Sequence, residues 1–326
     1  NRVVVSQVSE LSEAWRRGLR PQDQIVSFAG RDVTSANEFQ NIVGIFPEGT
    51  RLPLQWRNKA GLREATIRLR PLHGFQKAPE LPEERQPKPK PGGEDAPDDD
   101  AHQEGSAEEL PAELKALFVE REGYCNYYFN EQQQQRLLKP LQETIGRKAD
   151  PKAVWMLTFK SADSAIALNG ELTLGSSGAG LKLNNVPFLQ KVDVQDPQEE
   201  APQLPGLLTA MIQVRKLLLN EKDGFSETMS MGRTLHLPLQ KPVDILVTRE
   251  GARTCRWYFE SGAPMPVGVD VEYAQGVDEA RLLFENWADR GGLMLPGRVG
   301  LISGEAEDLR WITIGDVTQK ASGPEN

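Results

Sequence analysis

The sequence predicts an α+β chain: a small sheet with helices, then a disordered linker, then a mostly antiparallel β-sheet domain covered by helices. Three observations predict it. Val3-Val4-Val5-Ser6-Gln7-Val8 is a β-type run that opens a strand, turn, strand, turn, helix, strand, hairpin order over residues 3–70. Residues 78–109 break the composition, with eleven acidic against three basic side chains, six prolines and three glycines. From about residue 154 onward, apolar residues alternate in short runs separated by turn residues.

The first element after the opening strand is a short helix over 11–17. Gly18 follows it, where a helix C-cap needs φ > 0. Pro21-Gln22-Asp23 makes a turn in which the Asp23 carboxylate accepts backbone N–H groups. Leu19, Ile25, Val26 and Phe28 are core candidates. Thr34 or Ser35 caps a helix running to about Phe46, with Glu38 as the capping-box partner of Ser35. Phe39, Ile42, Val43 and Phe46 share its buried face. Strands over 51–57 and 63–70 follow, joined by Asn58-Lys59-Ala60-Gly61.

The motif Gly18-Leu19-Arg20-Pro21-Gln22-Asp23-Gln24-Ile25, followed by Ala29-Gly30-Arg31-Asp32-Val33 and the helix, resembles most of a PDZ domain of the bacterial HtrA-like serine proteases. Family members usually carry Gly-Asp where this chain has Gln22-Asp23. The resemblance implies a PDZ-like domain over 1–77, incomplete at its N-terminus. It would belong to the non-catalytic C-terminal part of a serine endopeptidase. Such a domain binds peptide or protein C-termini, or regulates proteolysis, by adding a ligand strand beside a helix. By that resemblance the groove-facing positions are Ala36 and Gln40, with Val43 or Gly44 deeper. The strand and loop that would hold a ligand carboxylate would lie before Asn1, so the chain reads as a piece of a longer protein.

Residues 78–109 hold a balance of −8 and little to bury, so they are expected to stay disordered as a spacer. Most of the whole-chain charge of −9 sits there. Residues 1–77 carry +5 and residues 110–326 carry −6. No basic cluster with interleaved aromatics occurs, which argues against nucleic acid as a partner. No apolar run approaches the roughly 18–20 residues needed to span a bilayer. Cys125 and Cys255 leave pairing open. His73, His102 and His236 are too scattered for a metal cluster, and no metal or other cofactor is expected.

A serine-protease triad finds no support within the chain. Gly175-Ser176-Ser177-Gly178 lacks an acidic neighbour and reads as a hairpin turn. It also misses G-x-S-x-G, because position 179 is Ala. There is neither a Walker loop nor a strand-linked G-x-G-x-x-G. Whether the parent protein is an enzyme stays open, with protease chemistry expected before Asn1 if it exists.

Residues 110–326 start with a short helix over 113–120 and the aromatic cluster 124–129, read as a core plug, followed by a helix over 131–145. Strands follow over 154–159, 165–174 and 180–183. Leu204, Leu207, Met211, Val214 and Leu218 repeat at helical spacing and mark a lid helix. A hairpin over 244–260 places Cys255, Trp257 and Phe259 on one face and Thr254, Arg256, Tyr258 and Glu260 on the other. Strands over 280–287, 293–303 and 309–317 complete a long antiparallel sheet that needs a cover.

Within the last hundred residues, Trp257-Tyr258-Phe259, Met265-Pro266-Val267 and the stretch Glu285–Pro296 are similar to the half-barrel of LolA-like lipoprotein carriers. That resemblance implies an acyl chain held between a curved sheet and helices, and a periplasmic or cell-envelope location. Lipid or lipoprotein binding is therefore the alternative to peptide capture. Trp155, Trp257, Trp287 and Trp311 are expected in the core.

Overall fold

A computed structural model describes residues 2–70, 112–121, 124–145, 150–162, 168–191, 201, 203–272, 278–303 and 308–320. The linker expectation, His73 and His102 lie outside the described residues.

Residues 3–68 form β1 (Val3–Val4), α1 (Glu13–Arg16), β2 (Gln24–Phe28), β3 (Arg31–Asp32), α2 (Ala36–Gly44), β4 (Arg51–Asn58) and β5 (Gly61–Arg68). The antiparallel sheet runs β1-β2-β4-β5, with β3 beside β2. The local chemistry fixes its corners. Gly18 adopts φ +98°, and the Asp23 carboxylate accepts from the Arg20 N–H at 2.9 Å. Ser35 caps α2 by accepting from the Glu38 N–H, while the Glu38 carboxylate accepts from the Thr34 N–H and hydroxyl. Phe28, Val33, Ile42, Leu54 and Trp56 are buried, and the Phe39 ring meets Phe28 edge-on at 5.5 Å.

The second part comprises α3 (Ala112–Lys115), α4 (Tyr128–Ile145), β6 (Val154–Ser161), β7 (Asn169–Leu174), β8 (Gly178–Leu183), β9 (Val186–Lys191) and α5 (Leu207–Asn220). It continues with β10 (Glu227–His236), β11 (Lys241–Glu250), β12 (Arg253–Glu260), β13 (Gly268–Glu272), β14 (Ala280–Glu285), β15 (Ala288–Arg290), β16 (Leu293–Leu295), β17 (Arg298–Ser303) and β18 (Asp308–Lys320). Eleven strands build one open antiparallel sheet in the order β10-β11-β12-β13-β14-β17-β18-β6-β7-β8-β9, and β15-β16 is a separate hairpin. This is the half-barrel arrangement expected of a mostly antiparallel domain covered by helices. Its inner face packs on α5, α4 and the β15-β16 hairpin as one core. Among the described residues no helix is long and apolar enough to cross a membrane.

Several elements differ from expectation. The 280–287 strand stops at Glu285, before Asn286 (φ +59°), the 293–303 strand breaks near Gly297, and its first part pairs with Ala288–Arg290 as the β15-β16 hairpin. β9 and β10 were not anticipated, because Pro187 and the mixed polar run 227–236 hide the strand period. The aromatic plug is smaller than expected: Tyr127 is buried, but Phe129 is 65% exposed. Trp155 and Trp257 lie in the core, whereas Trp287 and Trp311 are half-buried.

The two ends of the sheet are treated differently. At β10 the Asn130 side chain of α4 imitates a neighbouring strand. Its amide donates to the Ser230 carbonyl and its oxygen accepts from the Ser230 N–H, both at 2.9 Å. Tyr127 donates to the Thr228 carbonyl beside it. A covered edge cannot template aggregation. β9, at the other end, has no strand beyond it among the described residues.

The small sheet docks on the outer face of the large one through buried charge. Arg68, at the end of β5, donates to Glu279 at 2.7 and 2.8 Å, to Asp270 and to the Gly49 carbonyl. Arg51 pairs with Glu279 and with Glu13, and Glu13 also accepts from the Arg68 N–H at 2.8 Å. Arg16 and Arg17 bracket Asp278 at 3.0 Å each. Tyr258 donates to Asp270 at 2.6 Å, and the His236 ring packs on Tyr258 at 4.3 Å. The pattern of β12 places Tyr258 on the face away from the half-barrel interior, as expected. That face is buried here because the first module covers it.

Burial would raise the Glu279 carboxyl pKa, but Arg68 and Arg51 outweigh it and hold the group well below the usual carboxylate range. Burial lowers the His236 pKa. Asp270 opposes that shift, while Arg281, Arg68 and Arg51 add to it.

Candidate functional site

The residues that could carry function lie on the inner face of the half-barrel. α5 crosses that face and touches β13 and β14 on one side and β7 and β8 on the other. Every side chain from Leu207 to Arg215 is buried. A helix covered all round is a central helix rather than a surface one. Its entry is fixed by Gly206, whose φ is +77° and whose added Cβ would lie 2.1 Å from the Ala280 Cβ. Only glycine allows that turn and that approach to β14.

The apolar surround is built by alternation. Leu172, Leu174, Ala179, Leu181 and Leu183 point inward from β7 and β8, as do Cys255, Trp257 and Phe259 from β12. The Trp257 N–H is satisfied by the Thr248 hydroxyl at 3.0 Å. Burial pushes the Cys255 thiol up to about 12, so it is a packing group and not a nucleophile. Cys125 is exposed, and neither cysteine is in a disulfide.

A short polar stripe interrupts this lining. Thr209 and Gln213 stand one turn apart on α5, both fully or nearly fully buried. The Thr209 hydroxyl donates to the side-chain Oε1 of Gln190 on β9 at 3.2 Å, and Cys255 Sγ lies 3.7 Å from the side-chain Oε1 of Gln213. The amide nitrogens of Gln190 (3% exposed) and Gln213 (0%) have no hydrogen-bond partner, nor has the Trp155 N–H. Buried donors are normally satisfied, and leaving one unpaired costs about 1–3 kcal/mol. Three such donors lie within the same apolar core. At the far end Arg215 donates to the Pro151 and Ala153 carbonyls and lies 5.3 Å from the Trp155 ring. Burial lowers its pKa.

Of the sequence-predicted groove positions, Ala36, Gln40 and Gly44 lie exposed along α2 and Val43 is half-buried. None of them lines the three surface grooves found on β18-β6-β7-β8, on β7-β8-β9 and along α4. His236 is buried under the first module rather than in a catalytic constellation. Among the described residues no group of three metal-ligating side chains could hold an ion. The unpaired glutamines were missed in the sequence. Their signal is a Thr and a Gln at i, i+4 within an otherwise apolar helical stripe.

No family model and no curated protein matches the chain. Solved structures do. A DUF1329 family protein from Desulfovibrio piger is 7% identical, with a TM-score of 0.35 over 57% of this chain and 92% of its own. A LolA superfamily protein from Nitrosomonas europaea is 11% identical, with a TM-score of 0.36 over 56% and 92%. A putative outer membrane lipoprotein-sorting protein domain from Vibrio parahaemolyticus is 10% identical, with a TM-score of 0.32 over 59% and 95%. At these values no residue role passes from them to this chain.

These neighbours correct the first reading of function. They are not HtrA-like proteases. The expectation of a PDZ-bearing part of a serine endopeptidase that captures peptide C-termini or regulates proteolysis is therefore withdrawn. The physical contrast is in the docking. The first module places Arg51 and Arg68 in buried pairs with Asp270 and Glu279, and Arg16 and Arg17 beside the more exposed Asp278. Ala36, Gln40 and Gly44 stand open to solvent along α2.

Proposed function

We infer that the chain is a lipid- or lipoprotein-binding protein of the cell envelope, carrying an acyl chain between the half-barrel and α5. One observation carries this reading: an apolar interior, spanned by α5, that holds buried amide donors with nothing to donate to. An acyl chain replaces the apolar contacts of α5 against β7, β8, β13 and β14. Its ester or amide carbonyl accepts from Gln190 and Gln213. Each methylene so buried contributes about 0.8 kcal/mol, so a chain of ordinary length offsets much of the cost of displacing the helix. Residues 110–326 form the carrier, 1–77 the module docked on it and 78–109 the connection.

The test is native mass spectrometry of the purified chain together with uptake of a fluorescent fatty acid. Bound acyl species and saturable uptake are expected. Absence of both overturns the reading.

A further inference from the structure

The outer face of the sheet carries two grooves that share Glu171 and Lys182 and so form one trough. One end, about 750 Å³, is walled by polar side chains of β18, β6, β7 and β8. The other, about 650 Å³, lies over β7, β8 and β9. Register explains the contrast. Thr158, Glu171, Lys182 and Pro187 form one row across the strands, with Lys160 and Asn169 in the row on its polar side. Met156, Thr173, Gly180 and Leu189 form the row on its apolar side.

The apolar end has a backbone floor. Gly178 and Gly180 leave it without side chains, and Leu189, 74% exposed, overhangs Gly180. At the polar end the ladder slips between Ile314 and Val317, which presents Gly315 and Asp316. The Asp316 N–H donates to the Thr158 hydroxyl at 2.8 Å. Bulges of this kind recur beside binding sites. Lys160, Lys182, Glu171 and Asp316 are exposed, and among the described residues none of these four side chains forms an ion pair.

We propose that this outer trough binds one molecule of a zwitterionic phospholipid amphiphile. Its chain lies over Gly178 and Gly180 beneath Leu189. Its phosphate faces Lys160 and Lys182, and its ammonium faces Glu171 and Asp316. The set of charges argues for the head group. Two ammonium and two carboxylate groups within one groove repel a purely anionic head in part and complement one that carries both signs. The apolar trough supplies affinity through burial and the charges supply selectivity. The charged end and the glycine floor of the trough lie across the sheet from α5, while Gln190, at the β9 edge, lines the apolar end as well.

The full chain is titrated calorimetrically with lysophosphatidylethanolamine, lysophosphatidylglycerol and the matching fatty acid, each below its micellar concentration. The ethanolamine lipid is expected to bind about tenfold or more tighter than the glycerol lipid, the factor that about 1.4 kcal/mol gives. Gly178→Val fills the floor, where its Cβ meets only the Gln190 carbonyl at 3.6 Å, an ordinary contact. That variant is expected to keep its unfolding midpoint and to lose about tenfold or more of the lysolipid affinity. Glu171→Lys is expected to erase the preference for the zwitterion. Quenching of Trp257 by a brominated fatty acid, which reads the interior, should be unchanged in both variants. Equal affinity for both head groups, full affinity in folded Gly178→Val, or adsorption to phosphatidylethanolamine vesicles without binding of the monomeric lipid would each overturn the proposal.

Discussion

Arg68→Ala tests the docking of the two modules most sharply. The guanidinium is 3% exposed and supplies two hydrogen bonds to Glu279, one to Asp270 and one to the Gly49 carbonyl. Its removal strands two carboxylates whose side chains are 10% and 5% exposed. Breaking a buried pair from one side costs about 3–5 kcal/mol, because the abandoned partner keeps its desolvation penalty. Arg51 still faces Glu279, and Tyr258 still donates to Asp270. The expected loss therefore sits near the lower end, about 3 kcal/mol. Urea unfolding followed by tryptophan emission reads it, since Trp15 and Trp56 report the first module. The triple variant Arg68→Met, Asp270→Leu, Glu279→Met removes the charges together and should recover most of the loss. A loss under about 1 kcal/mol for Arg68→Ala, the range of an exposed pair, would refute a buried interface.

Acid should loosen the same interface. The folded Glu279 pKa is depressed, so its stabilisation is present above the unfolded value and lost as pH falls through the carboxylate range. The folded His236 pKa is also depressed, so the folded state begins to lose stability once pH drops below about 6.5. Unfolding midpoints should therefore fall in two stages, the first below about pH 6.5 and the second below about pH 4.5, and His236→Phe should remove the first. Gly206→Ala should cost roughly 2–4 kcal/mol, from a positive φ and a collision with Ala280, measured by the same urea titration. Cys125 should react with a maleimide in the native protein while Cys255 stays protected until unfolding, as mass mapping would show. Gln213→Leu should weaken binding of ester-containing lipids by up to about tenfold and leave alkane binding unchanged in a competition titration.

The strands of the half-barrel were legible wherever one face is dry. Cys255, Trp257 and Phe259 alternate with polar residues, and that period placed β12 and its inner face correctly. The lid helix was visible from its apolar stripe, 204–219 expected against 207–220 observed. Its complete burial was not, because periodicity shows which face is apolar and not how many layers cover it. Edge strands β9 and β10 escaped notice since their outer residues pack on a helix or on nothing. The docking interface was invisible for a different reason. Its members, Glu13, Arg51, Arg68, Asp270 and Glu279, read singly as surface charges, and only folding brings residues some 200 positions apart into one cluster. The motif at 18–33 predicted the local turns well, including the positive φ at Gly18, while the function attached to that resemblance was wrong.

The central question is whether the half-barrel interior admits an acyl chain. Trp257 is fully buried at the centre of that interior, so a stearic acid brominated at mid-chain offers a direct readout. Saturable quenching is expected in the wild-type chain, with the quenched share of emission disappearing in Trp257→Phe. Stoichiometric binding that leaves Trp257 emission untouched would place the lipid elsewhere and contradict the carrier reading.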